Sequence, residues 1–215
     1  MKDISEIASK LRNEYAQRTL SEADVSHDPI AQFSEWFKEA IESEILNANA
    51  MGLATATPDG QPSIRIVLLK GIDNSGFVFY TNYHSRKGIE ISLNKHGALN
   101  FFWKELERQV RIEGVIEKTT SRESDDYFGT RPRGSQLSAV ASPQSLAIKQ
   151  GEMEKVMSEL DTEFRNKEID RPAHWGGYRL KPNKIEFWQG RPNRLHDRIL
   201  YTLKDGDWII SRLAP

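Results

Sequence analysis

The 215-residue sequence contains no cysteine. That excludes disulfide bridges, thiolate nucleophiles and cysteine-ligated zinc, and it suits a reducing compartment. A surplus of either charge is missing too: Lys plus Arg is 30 against 31 for Asp plus Glu, leaving a formal net charge of −1. Bulk attraction to nucleic acid or anionic lipid is therefore not expected, and any positive site has to be local. No segment is long and apolar enough to span a bilayer, and the opening MKDISEIASKLRNEY lacks a signal-peptide core. Gly-rich dinucleotide fingerprints, P-loops, GxSxG elbows and HExxH motifs are also absent. His27, His84, His96, His174 and His196 show no close metal-ligand spacing, so no metal is expected. These absences describe a cytoplasmic protein without nucleic-acid or membrane partners.

What remains is an ordinary globular composition, 38% hydrophobic and 28% charged, expected to fold as one domain over residues 1–215. A short amphipathic segment from Ile4 to Tyr15, with Ile4, Ile7 and Leu11 at helical spacing, is marginal for a helix without a docking surface. Asp28-Pro29 starts a firmer helix whose stripe is Ile30, Phe33, Trp36, Phe37, Ile41 and Ile45. Strands are expected at 52–57, 63–69, 77–81, 98–103 and 108–118, broken by turns such as Pro58-Asp59-Gly60. Helices follow near 121–129, opened by a Thr120/Glu123 capping box, and 152–164. Strands at 175–180, 184–189, 198–203 and 208–213 close the chain. Strand follows strand without βαβ alternation, which predicts a mainly β antiparallel barrel with helices outside it.

Four basic clusters stand out. Arg194, His196 and Arg198 would share one face if Arg194-Leu195-His196-Asp197-Arg198 starts a strand, aiming two guanidiniums and an imidazole at one spot. The alternative is a solvated edge neutralised by Asp197. In Ser85-Arg86-Lys87-Gly88, a serine N-cap precedes two cations in a first helical turn, where they oppose the helix dipole. Either an anion docks on the free N–H groups or the pair is a tolerated surface feature. Tyr127 with Arg131-Pro132-Arg133-Gly134-Ser135 offers the mixed donors of a phosphate pocket, or an exposed turn between two helices. In Arg65-Ile66-Val67-Leu68-Leu69-Lys70 the terminal cations have opposite strand parity. They could serve two anionic groups, or one could cap a sheet edge.

These residues, together with FYTN at 79–82, ERQVRIEG at 107–114, WGGYRL at 175–180, FWQG at 187–190, RLHDR at 194–198 and the terminal RLAP, resemble the pyridoxine (pyridoxamine) 5′-phosphate oxidase family almost end to end. The resemblance implies an FMN-binding split β-barrel, a homodimer with flavin at the subunit interface, and oxidation of pyridoxine 5′-phosphate or pyridoxamine 5′-phosphate by dioxygen. It implies that FMN is held by Arg65, Ile66, Val67, Leu68, Leu69, Lys70, Tyr80, Thr81, Arg86, Lys87, Gln109, Gln144, Ser145, Trp188 and Arg198. Substrate would meet Lys70, Tyr127, Arg131, Ser135, Arg194, Leu195 and His196, with Arg194 and His196 at the reacting ring. Arg12 and Tyr15, in an N-terminal segment 1–20, would fold over the occupied site as a lid. Val140 stands where the family often has tryptophan. Two other classes stay open: a split-barrel flavoprotein with another reductive reaction, and a non-enzymatic pyridoxal phosphate carrier.

Overall fold

The computed structural model describes residues 4–10 and 14–215. The chain forms two compact units, one of residues 1–48, 102–111 and 184–215, the other of residues 49–101 and 112–183. Arg12 and Leu11 lie outside the described residues.

The first unit opens with α1 (Ile4–Lys10). The sequence reading extended this helix to Tyr15, but by Glu14 the chain is no longer helical. The next helix, α2 (Pro29–Glu42), starts as expected: the Asp28 carboxylate accepts the Ile30 N–H and proline fills N1. Its buried stripe is Ile30, Phe33, Trp36 and Ala40. Ile41 is exposed and Ile45 lies beyond the helix, so the stripe is narrower than expected. Phe33 lies 6.0 Å from Trp103, and Trp36 meets Phe187 edge-on at 5.2 Å. Each such aromatic contributes roughly 1.5–3 kcal/mol by burial.

The second unit contributes β1 (Ala50–Ala56), β2 (Pro62–Leu68), β3 (Gly71–Asp73), β4 (Gly76–Asn82) and α3 (Arg86–Leu93). Strands β5 (His96–Trp103), β6 (Arg108–Lys118) and β7 (Trp175–Gln189) carry residues of both units. Between β6 and β7 come α4 (Ser121–Thr130), α5 (Arg133–Ala141) and α6 (Glu152–Glu163). The hydrogen-bonded order is β2-β1-β5-β6-β7-β4-β3, and the first unit adds β8 (Asp197–Lys204) on β7 and β9 (Asp207–Arg212) on β8. Antiparallel pairing, expected from the short connections, holds for β1 with β2 and β5, β4 with β3 and β7, and β8 with β7 and β9. The capping box at Thr120 and Glu123 is formed as expected.

Two sequence expectations fail for local reasons. Residues 175–180 and 184–189 are one strand, not two. Strand β4 pairs with Trp175–Leu180 and β8 with Lys184–Gln189, so Pro182 falls in the interval where neither partner needs its missing N–H. The other failure is at Arg194. Pro192–Arg194 is a 3₁₀ turn with Asn193 at φ 55° and Arg194 at φ 61°, and β8 begins only at Asp197. The period-two alternation invoked for Arg194, His196 and Arg198 therefore has no strand to act through.

Gly76 shows how tightly the second unit is closed. Its φ is +133°, and a Cβ there would stand 2.0 Å from the Leu180 carbonyl oxygen. Gly60, at φ +89°, faces open space. Gly76→Ala should cost about 2 kcal/mol or more and Gly60→Ala about 1 kcal/mol, read from urea midpoints. Equal midpoints for the two variants would contradict this packing.

Candidate active site

A cavity of about 600 Å³ opens in the second unit, and strand β2 supplies one wall through Arg65, Ile66, Val67 and Leu68. Lys70 joins them in spite of its opposite parity. Strand β2 ends at Leu68, so the alternation stops there: Leu69 turns into the core at 5% exposure and donates its N–H to the Asn49 carbonyl, while Lys70 returns to the cavity. Tyr80 and Thr81 of β4, Lys87 of α3 and Gln144 complete this part of the lining. Tyr127, Arg131, Pro132 and Ser135, around the α4–α5 junction, supply the rest.

Lys87 is buried, and its Nζ donates to Thr81 Oγ1 at 3.2 Å, Ser85 Oγ at 3.2 Å and Gln144 Oε1 at 3.0 Å. Burial first, then the neighbouring Arg65 charge, lower its pKa to about 8 against the pull of Glu90. Glu90 is the counter-charge of this wall. Its Oε2 accepts from Thr55 and Ser63 hydroxyls, both at 2.5 Å, and lies 3.3 Å from Arg65 Nη2, while Oε1 accepts Arg86 Nε at 2.9 Å. Burial alone would raise the Glu90 pKa; the hydrogen bonds from Ser63, Thr55 and Arg86 and the Arg65 charge overcome it and hold the carboxyl at about 2. Arg65 is aimed by Leu53 O, Thr55 Oγ1 and Ser63 Oγ, residues that the β1–β2 register sets beside it.

The expected pair at the start of α3 is thus split. Ser85 caps the helix by accepting the Gly88 N–H, and Lys87 faces the cavity. Arg86 instead pairs with Glu90 one turn on. Ser145, at φ 76°, uses its hydroxyl to accept the Arg86 N–H.

On the helical side, Tyr80 stacks on Tyr127 at 3.9 Å and on Trp175 at 5.5 Å. Arg131 Cζ lies 4.5 Å over the Trp175 ring. Its Nη2 donates to Ser135 O at 2.9 Å, whereas its buried Nε has no hydrogen-bond partner. A buried, unpartnered guanidinium N–H beside a cavity is what an anionic oxygen would satisfy. Val140 packs against the cluster of Phe128, Leu137 and Trp175, so its replacement of the family's aromatic residue bears on packing there.

The other expected site residues belong to the first unit. Trp188 lies 4.7 Å from His196, and Tyr15 meets both edge-on, at 5.6 Å and 5.8 Å. His196 Nδ1 accepts the Arg191 N–H at 3.1 Å, so in the neutral ring the proton sits on Nε2. Burial, then the Arg194 charge, lower the His196 pKa against Asp197. Arg198 turns its guanidinium to Glu186, at 2.8 Å and 3.2 Å, rather than sharing a face with Arg194. Arg194 and Leu195 are exposed, and Gln109 is half-buried on β6. Sequence reasoning missed Pro132 and the carboxylates Glu90, Glu107 and Asp197, which no motif spacing marks out.

Residues 37–163 match the family model described as pyridoxamine 5′-phosphate oxidase, and residues 175–215 match a pyridoxine 5′-phosphate oxidase C-terminal dimerisation region. Proteins named pyridoxine/pyridoxamine 5′-phosphate oxidase from a Cyanothece species and from Salinibacter ruber are 54% and 55% identical. They align over 96% and 95% of this chain and 98% and 97% of their own lengths. Among solved structures, PhzG from Burkholderia lata in complex with tetrahydrophenazine-1-carboxylic acid superposes with a TM-score of 0.88 at 29% identity, over 93% of this chain and 99% of that one. An FMN-binding, pyridoxamine 5′-phosphate oxidase-related protein from Nostoc punctiforme gives 0.71 at 17%, over 89% and 100%, a likeness of fold. The antiparallel split-barrel class expected from the sequence is the one these relatives share.

The Lys87 pKa generates a test of the cavity as a phosphate site. Affinity for FMN should fall as pH rises through about 8, by up to about tenfold per pH unit, because the ammonium that a phosphate favours is being lost. Lys87→Gln should bind more weakly and lack this slope. A wild-type affinity that stays flat from pH 7 to 9, measured by flavin fluorescence quenching, would contradict the assignment.

Proposed function

Because the chain belongs to the pyridoxine/pyridoxamine 5′-phosphate oxidase family, whose cofactor is FMN, we propose that it oxidises pyridoxine 5′-phosphate and pyridoxamine 5′-phosphate to pyridoxal 5′-phosphate. The alcohol plus dioxygen gives aldehyde plus hydrogen peroxide; the amine requires water in addition and releases ammonia. This is a step of vitamin B6 synthesis and salvage. The chemistry that FMN supplies when bound is acceptance of a hydride from C4′ at N5 and reoxidation by dioxygen, a capacity no side chain has.

The observation that carries this reading is one cavity with two sets of phosphate donors. Arg65, Thr81, Lys87 and Gln144 form one set, suited to the FMN phosphate, and Lys70, Tyr127, Arg131 and Ser135 form the other, suited to the substrate phosphate. Gripping a remote phosphate lets binding energy orient the reacting carbon. On the first unit, His196 offers Nε2–H as a donor to the polar ring substituents of the substrate, with the Arg194 guanidinium close enough to depress its pKa. Arg198 and Trp188 serve the flavin in this reading, together with Gln109 and Ser145. The structural relative PhzG was solved with a carboxylic acid; a second cationic set beside the first favours a phosphate-bearing substrate here.

We read the protein as a homodimer. The match to a dimerisation region supports this, and so does β2, whose Ile64, Ile66 and Leu68 form an exposed apolar row at 71%, 70% and 41% exposure.

Incubating the protein with FMN and pyridoxine 5′-phosphate in air should yield aldehyde and hydrogen peroxide in equal amounts. Unphosphorylated pyridoxine should be a far poorer substrate, and the double variant Lys70→Gln/Arg131→Gln should lose that preference while retaining flavin. Aldehyde formation without oxygen consumption would overturn the oxidase reading.

A further inference from the structure

Glu107 joins the 3₁₀ turn at Lys104–Leu106 to β6 and has φ 54° and ψ 39°, a left-handed conformation that glycine or asparagine adopts more readily. The backbone therefore gives no reason for glutamate at this position, and the side chain supplies one. Its carboxylate is buried, and Oε2 accepts the N–H of Ala16 at 2.9 Å and of Gln17 at 3.1 Å. Its carbonyl accepts the Gly190 N–H at 2.7 Å. Gly190 in turn is the floor on which Tyr15 lies: a Cβ there would stand 2.7 Å from both Cβ and Cγ of Tyr15 and 3.0 Å from Glu107 Cβ. One residue thus ties the N-terminal segment to the loop before Arg194 and His196. The segment is fixed again farther on, where Asp197 Oδ2 accepts the Leu20 N–H at 3.0 Å and Arg212 donates to Leu20 O at 3.0 Å. That second tie is five residues beyond Tyr15 and leaves its ring unconstrained.

We infer that Glu107 is a positioning residue: its carboxylate latches the backbone at residues 16–17 so that the Tyr15 ring is held against Trp188 and His196, completing the aromatic wall beside the proposed substrate-binding imidazole. The inference rests on the proposed substrate site only for its kinetic consequence. The latch itself is a property of the first unit.

The test uses the full-length, FMN-loaded protein. Glu107→Ala should raise KM for pyridoxine 5′-phosphate about fivefold or more with little change in kcat or in bound FMN, and Tyr15→Ala should do the same. The double variant should be no worse than either single one, because both remove the same contact. Glu107→Gln, which keeps an acceptor oxygen, should recover most of the affinity. Without substrate, Glu107→Ala should also speed tryptic cleavage after Arg18, a readout that survives if the proposed reaction is wrong. Additive KM effects, or a cleavage rate equal to that of the wild type, would overturn the latch. Should Glu107→Ala fail to fold, Gly190→Ala displaces Tyr15 with the carboxylate intact; it should raise KM likewise, and an unchanged KM would also overturn the proposal.

Discussion

Two cations on one cavity wall, Arg65 and Lys87, are the constraint around which the second unit is arranged. Removing a charge from water costs several kcal/mol unless it is paired and hydrogen-bonded. Glu90 meets that demand for Arg65, with Thr55 and Ser63 placed beside it by the β1–β2 register. Lys87 has hydroxyl and amide partners but makes no ion pair among the described residues. Its lowered pKa records the unmet part of the cost. A dianionic phosphate would supply the missing charge, which ties the strand register, the start of α3 and the cofactor to one electrostatic requirement.

The same logic extends to carboxylates that touch no ligand in the proposed site. Glu90 aims Arg65, Asp197 holds Leu20, Arg191 and Arg212, and Glu107 holds the segment that carries Tyr15. In each case the carboxylate is shielded from water and its acceptor capacity is used by named donors. Cations face the proposed ligands while anions behind them fix the geometry. This division explains how a chain with a net charge of −1 presents a positive cavity.

Much of this was legible in the sequence. The Asp28-Pro29 and Thr120/Glu123 signals place α2 and α4 because capping is local chemistry. Strand β6 matches its expected bounds because hydrophobic alternation persists along it. The cavity residues were legible through whole motifs, since RIVLLK and RPRGS each bring several lining side chains together. Reading failed where chain direction changes. Parity placed Arg65 and Lys70 on opposite faces, yet both line the cavity because the strand ends between them. Alternation likewise aligned Arg194 with Arg198, whereas left-handed residues at 193 and 194 delay β8. The roles of Glu90 and Glu107 depend on partners 25 to 91 residues away, which spacing along one chain cannot reveal.

The electrostatic account is tested most directly by the ionisation state of the bound cofactor phosphate. Free phosphate monoesters take up their second proton near pH 6. If Arg65 and Lys87 together hold the FMN phosphate, its ³¹P resonance should remain at the dianion position down to about pH 5 in the wild-type protein and shift back towards ordinary titration in Lys87→Gln. A wild-type resonance that titrates near pH 6, as for free FMN, would mean that the phosphate is solvated, and would contradict the central claim.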